Sequence, residues 1–453
     1  MANVLTEKSI DFGLYHKALM DVSLVSCHGS VVKVSGMAVE SNGPVIGVGE
    51  LCGIHIRGGR RVLAEVVGFR DDRLVMLPLE HISGISCGDK VTARSTRRSI
   101  YLSDEILGRV LNGLGEPIDG LGELSAGDEK MLDCPSVSPL EREKISVPLA
   151  LGIRAIDGLM TCAKGQRIGI FAGSGVGKSV LLGDIANSSE ADINVVALIG
   201  ERGREVREFL ENDLGPEGLA RSVVIVATSD SPPIQRVKAA FLAASIAEYF
   251  RDKGRDVLFM MDSLTRFCQA QREIGLAAGE PPTSKGYCPS VFSLMPRLIE
   301  RLGLSEVGSI TGILTVLVEN DDLSDPVADS ARSLLDGHLV LSRKLAENGH
   351  FPAIDILASV SRLMNAVTGN EHKLAARKVK EIYSTYSDAE DLINIGAFSR
   401  GSNSRIDGAI DLIEPIRILL RQGVRERTGF EQTVHMVTEI GRLWDKCTSG
   451  KVK

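Results

Sequence analysis

The chain has 453 residues, of which 43% are hydrophobic and 25% are charged, as is ordinary for a globular protein. This length is too great for one hydrophobic core and predicts about two to four domains. The net charge of −7 argues against a dominant nucleic-acid-binding surface. Aromatic residues make up only 4%, fewer than stacking platforms for single strands usually need.

The cysteines and the apolar runs bear on cellular location. The eight cysteines include no C-x-x-C pair and no cluster with zinc-ligand spacing, so we expect reduced thiols in a cytoplasmic protein. The first residues lack a basic segment followed by an apolar run, which argues against a secretory signal. Apolar runs such as VLFMM are too short to span a bilayer. We expect a soluble protein that could still dock on a membrane complex.

The pattern of the sequence changes three times along the chain. Residues 1–21 are a separate segment, either amphipathic or frayed. Residues 22–93 contain short apolar runs between Gly- and Asp-rich turns, which predicts a small β-barrel or sandwich. In residues 94–365, apolar strand-like runs alternate with helical stretches, as in an α/β domain with a buried parallel sheet. Residues 366–453 show apolar positions at three- and four-residue steps, which predicts a helical domain.

The stretch RIGIFAGSGVGKSVLLGDIA contains the clearest motif. It matches the phosphate-loop pattern G-x-x-x-x-G-K-[ST] except at Ala172, the first position. An apolar strand precedes the glycines and a helix follows, so backbone N–H groups and the helix N-terminus would face an anion. We expect Lys178 to reach the β- and γ-phosphates of a nucleotide and the Ser179 hydroxyl to bind Mg²⁺. The alternative is an ordinary glycine-rich turn between a strand and a helix.

A second strand, in DVLFMMDSLTRF, ends in Asp262, where such domains hold the Mg²⁺ shell. An aspartate at this place can also simply cap the following helix. A third strand, NVVALIG, opens onto a dense group of charges that begins with Glu201. The ends of these strands would border one crevice, where a carboxylate could activate water. From the residues alone, Glu201 and Glu205 are equal candidates.

Several long motifs occur in this chain: FAGSGVGKS, LIGERGREVREF, DSLTRF, GRVLNGLGEPIDG, GEPPTSKGYCPSVFSLMPRLIERLG and the run from GSITGILTVLV to SVSR. Together they resemble one family, the ATPases of type III protein export, which include flagellar and virulence-secretion members. This family is related to the catalytic subunit of rotary ATP synthases. The resemblance implies an α/β P-loop (RecA-like) core, an N-terminal β-barrel and a C-terminal helical domain. It also implies Mg²⁺-dependent ATP hydrolysis.

The resemblance assigns roles position by position. Glu201, in GER, matches the catalytic glutamate, and Arg202 matches a neighbour in the same site. Phe351, in GHFPAID, matches an aromatic residue that stacks on adenine, where tyrosine is common. Arg362, in SVSR, matches an arginine finger that acts on the nucleotide of the adjacent subunit. The phosphate loop would comprise Gly173, Ser174, Gly175, Val176, Gly177, Lys178 and Ser179.

The resemblance also implies partners. A finger that acts in trans requires an oligomer, and the family forms homohexameric rings. The expected partners are a stator-like regulator, the export gate and cargo chaperones, at the periphery of the inner-membrane export apparatus. Nucleic acid is not expected.

Three alternatives share this core. The first is the catalytic subunit of a rotary ion-translocating ATP synthase, but the C-terminal region lacks an acidic DELS-like turn. The second is a hexameric RNA helicase of the termination-factor type, yet residues 22–93 contain Phe69 as their only aromatic residue. The third is a non-catalytic ring subunit, which would tend to lose residues such as Lys178 or Glu201. The motifs do not separate flagellar from virulence export.

Overall fold

The computed structural model describes residues 27–94, 99–125, 127–132, 134, 137–138, 140–318 and 324–448. The segment predicted for residues 1–21 lies outside the described residues. The chain divides into two compact units, Met1–Arg97 and Arg98–Lys453. Each unit is described by itself.

The first unit contains a closed six-stranded barrel with the order β1-β2-β5-β4-β3-β6. Val39, Ile54 and Met76 are fully buried in its core. Alternation of buried and more exposed residues is clear in the strand Arg61–Arg70, where Val62, Ala64 and Val66 are the buried positions. Closure pairs every strand on both sides and leaves no edge open to another chain. The strands are β1 His28–Ser35, β2 Ala38–Ser41, β3 Leu51–His55, β4 Arg61–Arg70, β5 Arg73–Pro78 and β6 Lys90–Arg94.

The second unit is built on a mixed sheet. Its described strands are β7 Ser99–Leu102, β8 Val110–Asn112, β9 Asp128–Met131, β10 Pro148–Leu149, β11 Cys162–Ala163, β12 Arg167–Ala172, β13 Ile193–Ile199, β14 Ser222–Ala227, β15 Asp256–Asp262, β16 Gly303–Leu304, β17 Ser309–Leu317, β18 Gly337–Leu341 and β19 Ile354–Ser361. The main sheet has the order β19-β18-β12-β17-β15-β13-β14-β8, and β16 pairs beside it with β17. The strands from β18 to β8 run parallel, whereas β19 runs antiparallel to β18.

Helices cover the sheet and form the C-terminal part of the chain. The described α-helices are α1 Arg154–Leu159, α2 Lys178–Ser188, α3 Gly203–Glu208, α4 Gly215–Ala220, α5 Pro233–Asp252, α6 Leu264–Ala278, α7 Pro289–Ile299, α8 Pro326–Leu334, α9 Arg343–Glu347, α10 Met364–Val367, α11 Asn370–Asn394, α12 Ser404–Leu420 and α13 Phe430–Thr448. A π-helical turn, Phe209–Leu214, joins α3 to α4. Short 3₁₀ turns occupy Asp104–Ile106 and Ser284–Gly286.

The composition of the central strands explains why the sheet is buried. All seven residues of β13, INVVALI, are buried, as expected for a parallel sheet that helices cover on both faces. Capping residues mark the start and the end of helices that follow these strands. For example, the Ser263 hydroxyl accepts a hydrogen bond from the Arg266 N–H at the start of α6, and Gly279 ends that helix with a φ of 95°.

One hydrophobic core continues from the sheet into the C-terminal helices. It includes Ile170 of β12, Ile156 of α1, and Val437 and Trp444 of α13. Because these residues pack in one cluster, α11, α12 and α13 are a structural continuation of the part that contains the main sheet. In the described residues, no helix is both long enough and apolar enough to cross a membrane.

The fold class expected from the sequence is confirmed in its three parts: a β-barrel, an α/β core and C-terminal helices. The boundaries at residues 93 and 365 stay predictions. The last barrel strand ends at Arg94, and the last strand of the main sheet ends at Ser361.

Arg301 provides a test of the packing in the second unit. Its guanidinium, 2% exposed, donates to both carboxylate oxygens of Glu248 at 2.8 and 2.6 Å. We expect Arg301→Ala to lower the free energy of unfolding by about 3–5 kcal/mol, because it leaves the Glu248 carboxylate buried without its partner. Urea titration monitored by circular dichroism measures this loss.

The matched control is Arg442→Ala, which removes an exposed pair with Glu371 and Glu439 and should leave the urea midpoint close to that of the wild type. If both variants unfold at the same urea concentration, the buried pair does not stabilise this unit.

Candidate nucleotide-binding site

The phosphate-loop motif lies at the carboxyl end of β12, in the middle of the parallel sheet. Residues 173–177 connect the buried end of β12 to α2, which begins at Lys178. Gly175 and Gly177 have φ values of 80° and 85°, which side chains with a Cβ rarely adopt. No side chain caps the N-terminus of α2. This open helix end is the arrangement that binds phosphate.

The ammonium of Lys178 contacts two carboxylates. It donates a hydrogen bond to Asp262 Oδ1 and lies 3.8 Å from Glu201 Oε1. Thr315 Oγ1 also donates to Asp262 Oδ1, at 2.8 Å. All three charged groups are largely buried, because their side chains are only 12%, 6% and 16% exposed for Lys178, Asp262 and Glu201. The site therefore contains a buried cation and two carboxylates at the end of the sheet.

The register of the sheet brings these groups together. β13 and β15 are neighbouring parallel strands, and Leu198 of β13 is opposite Asp262 of β15. Glu201 follows three residues after Leu198, so both carboxylates emerge at the same sheet edge. Gly200 allows this exit, because it has a φ of 73° and a Cβ there would lie 2.7 Å from Arg266 Cβ.

Burial disfavours the charged form of Glu201. Desolvation first, and then the negative charge of Asp262, raise the pKa of the Glu201 carboxyl to about 7. Lys178 acts in the opposite direction, and a side-chain hydrogen bond to Glu205 raises the pKa further. The same hydrogen bond lowers the pKa of Glu205, which is more exposed. Glu201 is thus a carboxyl that changes charge near neutral pH.

Arg202 lies at the outer side of this group. Its side chain is 80% exposed, and it contacts Glu205 at 3.2 Å rather than Lys178 or Asp262. Further along the chain, Arg204 pairs with Glu208 and Arg207 pairs with Glu211 on the exposed surface. The charged stretch after β13 therefore divides into an inner carboxylate, Glu201, and outer pairs that face solvent.

Phe351 lies beside the phosphate loop, although 173 residues separate it from Lys178. A Cβ on Gly177 would be 3.5 Å from the Phe351 ring, and the residue is 46% exposed. The ring thus offers an accessible aromatic face next to the start of α2, which suits stacking on a base.

Arg362 is not near this site. It follows β19, which runs antiparallel to β18, so it emerges opposite Gly337 at the other edge of the sheet. β18 has five residues, which corresponds to about 13 Å along the strand. Arg362 is exposed, and its guanidinium donates to the carbonyl oxygen of Arg332 at 3.0 Å. It therefore cannot reach the phosphate loop of its own chain without a large rearrangement.

The donor set fits a magnesium ion that is bound together with phosphate. Ser179 is exposed in the first turn of α2, and Asp262 offers a carboxylate nearby on the same edge. No group of three or more His, Cys, Asp or Glu side chains in the described part of the chain could hold a metal alone. Mg²⁺ normally takes one or two protein oxygens in addition to phosphate and water.

Two residues at this edge were not anticipated from the sequence. Arg266 is half-buried in the first turn of α6, and its Nε has no hydrogen-bond partner among the described residues. Thr315 orients Asp262 through its hydroxyl. A signal for Arg266 exists, since it lies in the first turn of the helix that follows the strand ending in Asp262. Thr315 belongs to β17, and no local pattern distinguishes it.

Comparison with known proteins identifies the family. The model of the nucleotide-binding domain of the ATP synthase alpha/beta family matches residues 152–361, and its beta-barrel domain matches residues 31–94. The model of the T3SS EscN ATPase C-terminal domain matches residues 368–439. With the relatives described next, these matches show that the chain belongs to the family of type III export ATPases. The resemblance inferred from the motifs is therefore confirmed.

Relatives of two kinds are similar over nearly the whole chain. The flagellum-specific ATP synthase of Bacillus subtilis is 49% identical, over 91% of this chain and 95% of that protein. The type 3 secretion system ATPase of Xanthomonas euvesicatoria is 47% identical, over 91% and 94%. Among solved structures, the assembled ATPase EscN of the enteropathogenic E. coli type III secretion system has a TM-score of 0.87 and 45% identity. That match covers 91% of this chain and all of the EscN chain.

The contact between Glu201 and Glu205 predicts a pH effect. The rate constant kcat/KM for ATP should rise with pH around 7, because a general base must lose its proton before it can accept another. Glu205→Gln should move this rise to lower pH, since it removes a negative charge that raises the Glu201 pKa and introduces an amide that can donate to the ionised carboxylate. Steady-state hydrolysis between pH 5.5 and about 8.5 measures the shift.

Glu208→Gln is the matched control, because Glu208 pairs with Arg204 on the exposed face and should leave the profile unchanged. A profile that is the same in Glu205→Gln as in the wild type would contradict the effect assigned to this contact.

Proposed function

We propose that this protein is an ATP hydrolase that energises type III protein export. The observation that carries the proposal is the contact of Lys178 with Asp262 and Glu201 at the carboxyl edge of the sheet, beside an open helix N-terminus. This set contains a phosphate-binding cation, a Mg²⁺-binding carboxylate and a general base. The names of the relatives, flagellum-specific ATP synthase and type 3 secretion system ATPase, support the same function.

The phosphate loop and the two carboxylates beside it would have different roles in binding and hydrolysis. The backbone of residues 173–177 would hold the phosphates, and Lys178 would exchange its carboxylate partners for the β- and γ-phosphate oxygens. Ser179 and Asp262 would hold Mg²⁺, which neutralises phosphate charge. Glu201 would accept the proton of the attacking water, and its raised pKa suits a base that works near neutral pH.

Phe351 and Arg362 would complete the site from two directions. The Phe351 ring would stack on adenine, because it lies 3.5 Å from the Cβ position of Gly177. Arg362 emerges at the opposite edge of the sheet, so we propose that it acts on a nucleotide held by a neighbouring subunit. Arg202 would contribute at the rim of the site, through Glu205.

The assembly that we propose is a homohexameric ring at the periphery of the inner-membrane export apparatus. Its partners would be a stator-like regulator, the export gate and cargo chaperones, and nucleic acid would not be among them. One similar solved structure is EscN in complex with its central stalk EscO, at 44% identity and a TM-score of 0.84. In the ring, ATP hydrolysis would release chaperones and begin to unfold cargo.

A rotary ion-translocating synthase subunit is not favoured as the alternative. The C-terminal helices match the model of a type III secretion ATPase domain. The relatives at 47–49% identity described above are type III secretion and flagellum-specific proteins.

A mixing experiment tests the shared site. We expect Glu201→Gln and Arg362→Ala to be nearly inactive alone, with the loss of the arginine costing about 10³-fold or more. A mixture of the two chains should regain ATPase activity, because some interfaces combine an intact Glu201 with an intact Arg362 from the neighbour. Phosphate release after co-assembly measures the recovery.

The matched control mixes Glu201→Gln with Lys178→Ala. Both changes lie on the phosphate-loop side, so every interface is defective and no activity should return. If the Glu201→Gln and Arg362→Ala chains assemble together yet stay inactive, Arg362 does not act in trans.

Secretion tests the cellular function. In a bacterium that lacks its own export ATPase, the wild-type chain should restore secretion of export substrates into the medium, and Glu201→Gln should not. Arg442→Ala, which changes an exposed pair on α13, is the control and should restore secretion. Co-purification with a rotary-synthase α-like subunit, instead of export components, would contradict the proposal.

A further inference from the structure

The loop at residues 421–429, between α12 and α13, contacts both sides of the nucleotide site. The backbone N–H of Gln422 donates to the carbonyl oxygen of Phe351 at 2.9 Å. The backbone N–H of Arg425 donates to Asp184 Oδ1 at 3.0 Å, and Asp184 lies in α2, the helix that begins with Lys178. One loop of the helical region therefore reaches the residue proposed to stack on the base and the helix proposed to bind phosphate.

Gln422 is held in place by its own side chain. The residue is only 9% exposed, and its Oε1 accepts a hydrogen bond from the Arg154 N–H at 2.8 Å. Its Nε2 donates to the carbonyl oxygens of Gly152 at 2.7 Å and Glu426 at 2.6 Å. These three bonds fix the backbone of Gln422, and that backbone in turn fixes the carbonyl group of Phe351.

Arg154 secures the same loop from the side of the sheet. Its guanidinium, 7% exposed as a residue, donates to the carbonyl oxygen of Leu419 at 3.1 Å and to that of Arg421. It also contacts the Glu426 carboxylate. A cation at the end of α12 satisfies the last carbonyl groups of that helix, which have no partners within it. The position of the loop thus depends on α1 and α12 together.

We infer that Gln422 is a positioning residue for Phe351, through which the helical region sets the affinity for the nucleotide base. The inference rests on the proposed function, because it takes the base to bind against the Phe351 ring. Phe351 precedes β19 in a short connection after α9, and its carbonyl group is bound by the helical region rather than by the sheet. A displacement of α12 therefore moves Phe351 through its backbone. Residues 173–177 follow β12 directly, and the 421–429 loop contacts α2 only further along the helix, at Asp184.

The test compares a ligand that has a base with one that does not. In the full-length Gln422→Ala chain, the Kd for ATP should rise about tenfold, since a loosened Phe351 stacks less often on the base. The Kd for inorganic tripolyphosphate, which can use only the phosphate loop, should stay within about twofold of the wild-type value. Isothermal titration calorimetry measures both constants without requiring hydrolysis.

A double-mutant cycle shows whether the effect passes through Phe351. If it does, Phe351→Ala with Gln422→Ala should bind ATP as weakly as Phe351→Ala alone, because the ring that Gln422 positions is already absent. Gln422→Glu is a more severe second variant. It can still accept from Arg154, but it places a buried carboxylate oxygen against the carbonyl oxygens of Gly152 and Glu426, so its Kd for ATP should rise at least as much as in Gln422→Ala.

Asn403→Ala is the matched control. Asn403 caps the opposite end of α12, where its Oδ1 accepts from the N–H groups of Arg405 and Ile406 at 3.0 and 3.4 Å. The 17 residues of α12 place this cap about 25 Å from the 421–429 loop. The control weakens the same helix by a lost cap and should leave the Kd for ATP unchanged.

Two results would overturn the inference. One is an equal rise of the Kd for ATP and for tripolyphosphate in both Gln422 variants, which would indicate a general structural role. The other is a double variant whose Kd for ATP rises by the product of the two single-variant increases, because the two residues would then act independently. Failure of the proposed function would give a different result. The wild-type chain would then fail to hydrolyse ATP, and this outcome does not depend on what the Gln422 variants bind.

Discussion

One lysine ammonium faces two carboxylates in a largely buried site, and this unequal pairing governs the chemistry of the nucleotide-binding region. Lys178 can neutralise only one of the charges on Asp262 and Glu201, and uncompensated buried charge is costly. Glu201 responds with a raised pKa and a hydrogen bond to Glu205. If Lys178 turns toward a phosphate, Asp262 loses its partner and requires another cation, which is the place that we propose for Mg²⁺.

The direction of the strands decides which residues can meet. β12, β13 and β15 run parallel, so the residues after their carboxyl ends share one edge of the sheet. β19 runs the other way, and it therefore begins beside the phosphate loop and ends at the far edge. Phe351 and Arg362, which flank β19, lie at opposite edges for this reason alone.

The three-part fold and most residues of the nucleotide site could be predicted from local sequence, because a phosphate loop and a carboxylate at a strand end are short-range patterns. Lys178, Asp262 and the edge position of Glu201 follow from the strands that precede them. The residues alone could not decide whether Glu201 or Glu205 is the general base, since the difference between them is the burial of Glu201 beside Asp262. The contact of Gln422 with Phe351 joins residues that are 71 positions apart and uses a backbone N–H, for which side-chain identity gives no signal. Arg362 resembles any surface arginine until the direction of β19 is known.

The antiparallel course of β19 has a consequence for the stoichiometry of active sites. A single chain would carry two different half-sites, with the phosphate loop at one sheet edge and Arg362 at the other. Under the role proposed for Arg362, an open row of chains always has an unmatched loop at one end and an unmatched arginine at the other. Only closure into a ring joins these two ends. The last subunit to bind would therefore complete two sites, whereas the first completes none and each subunit between them completes one.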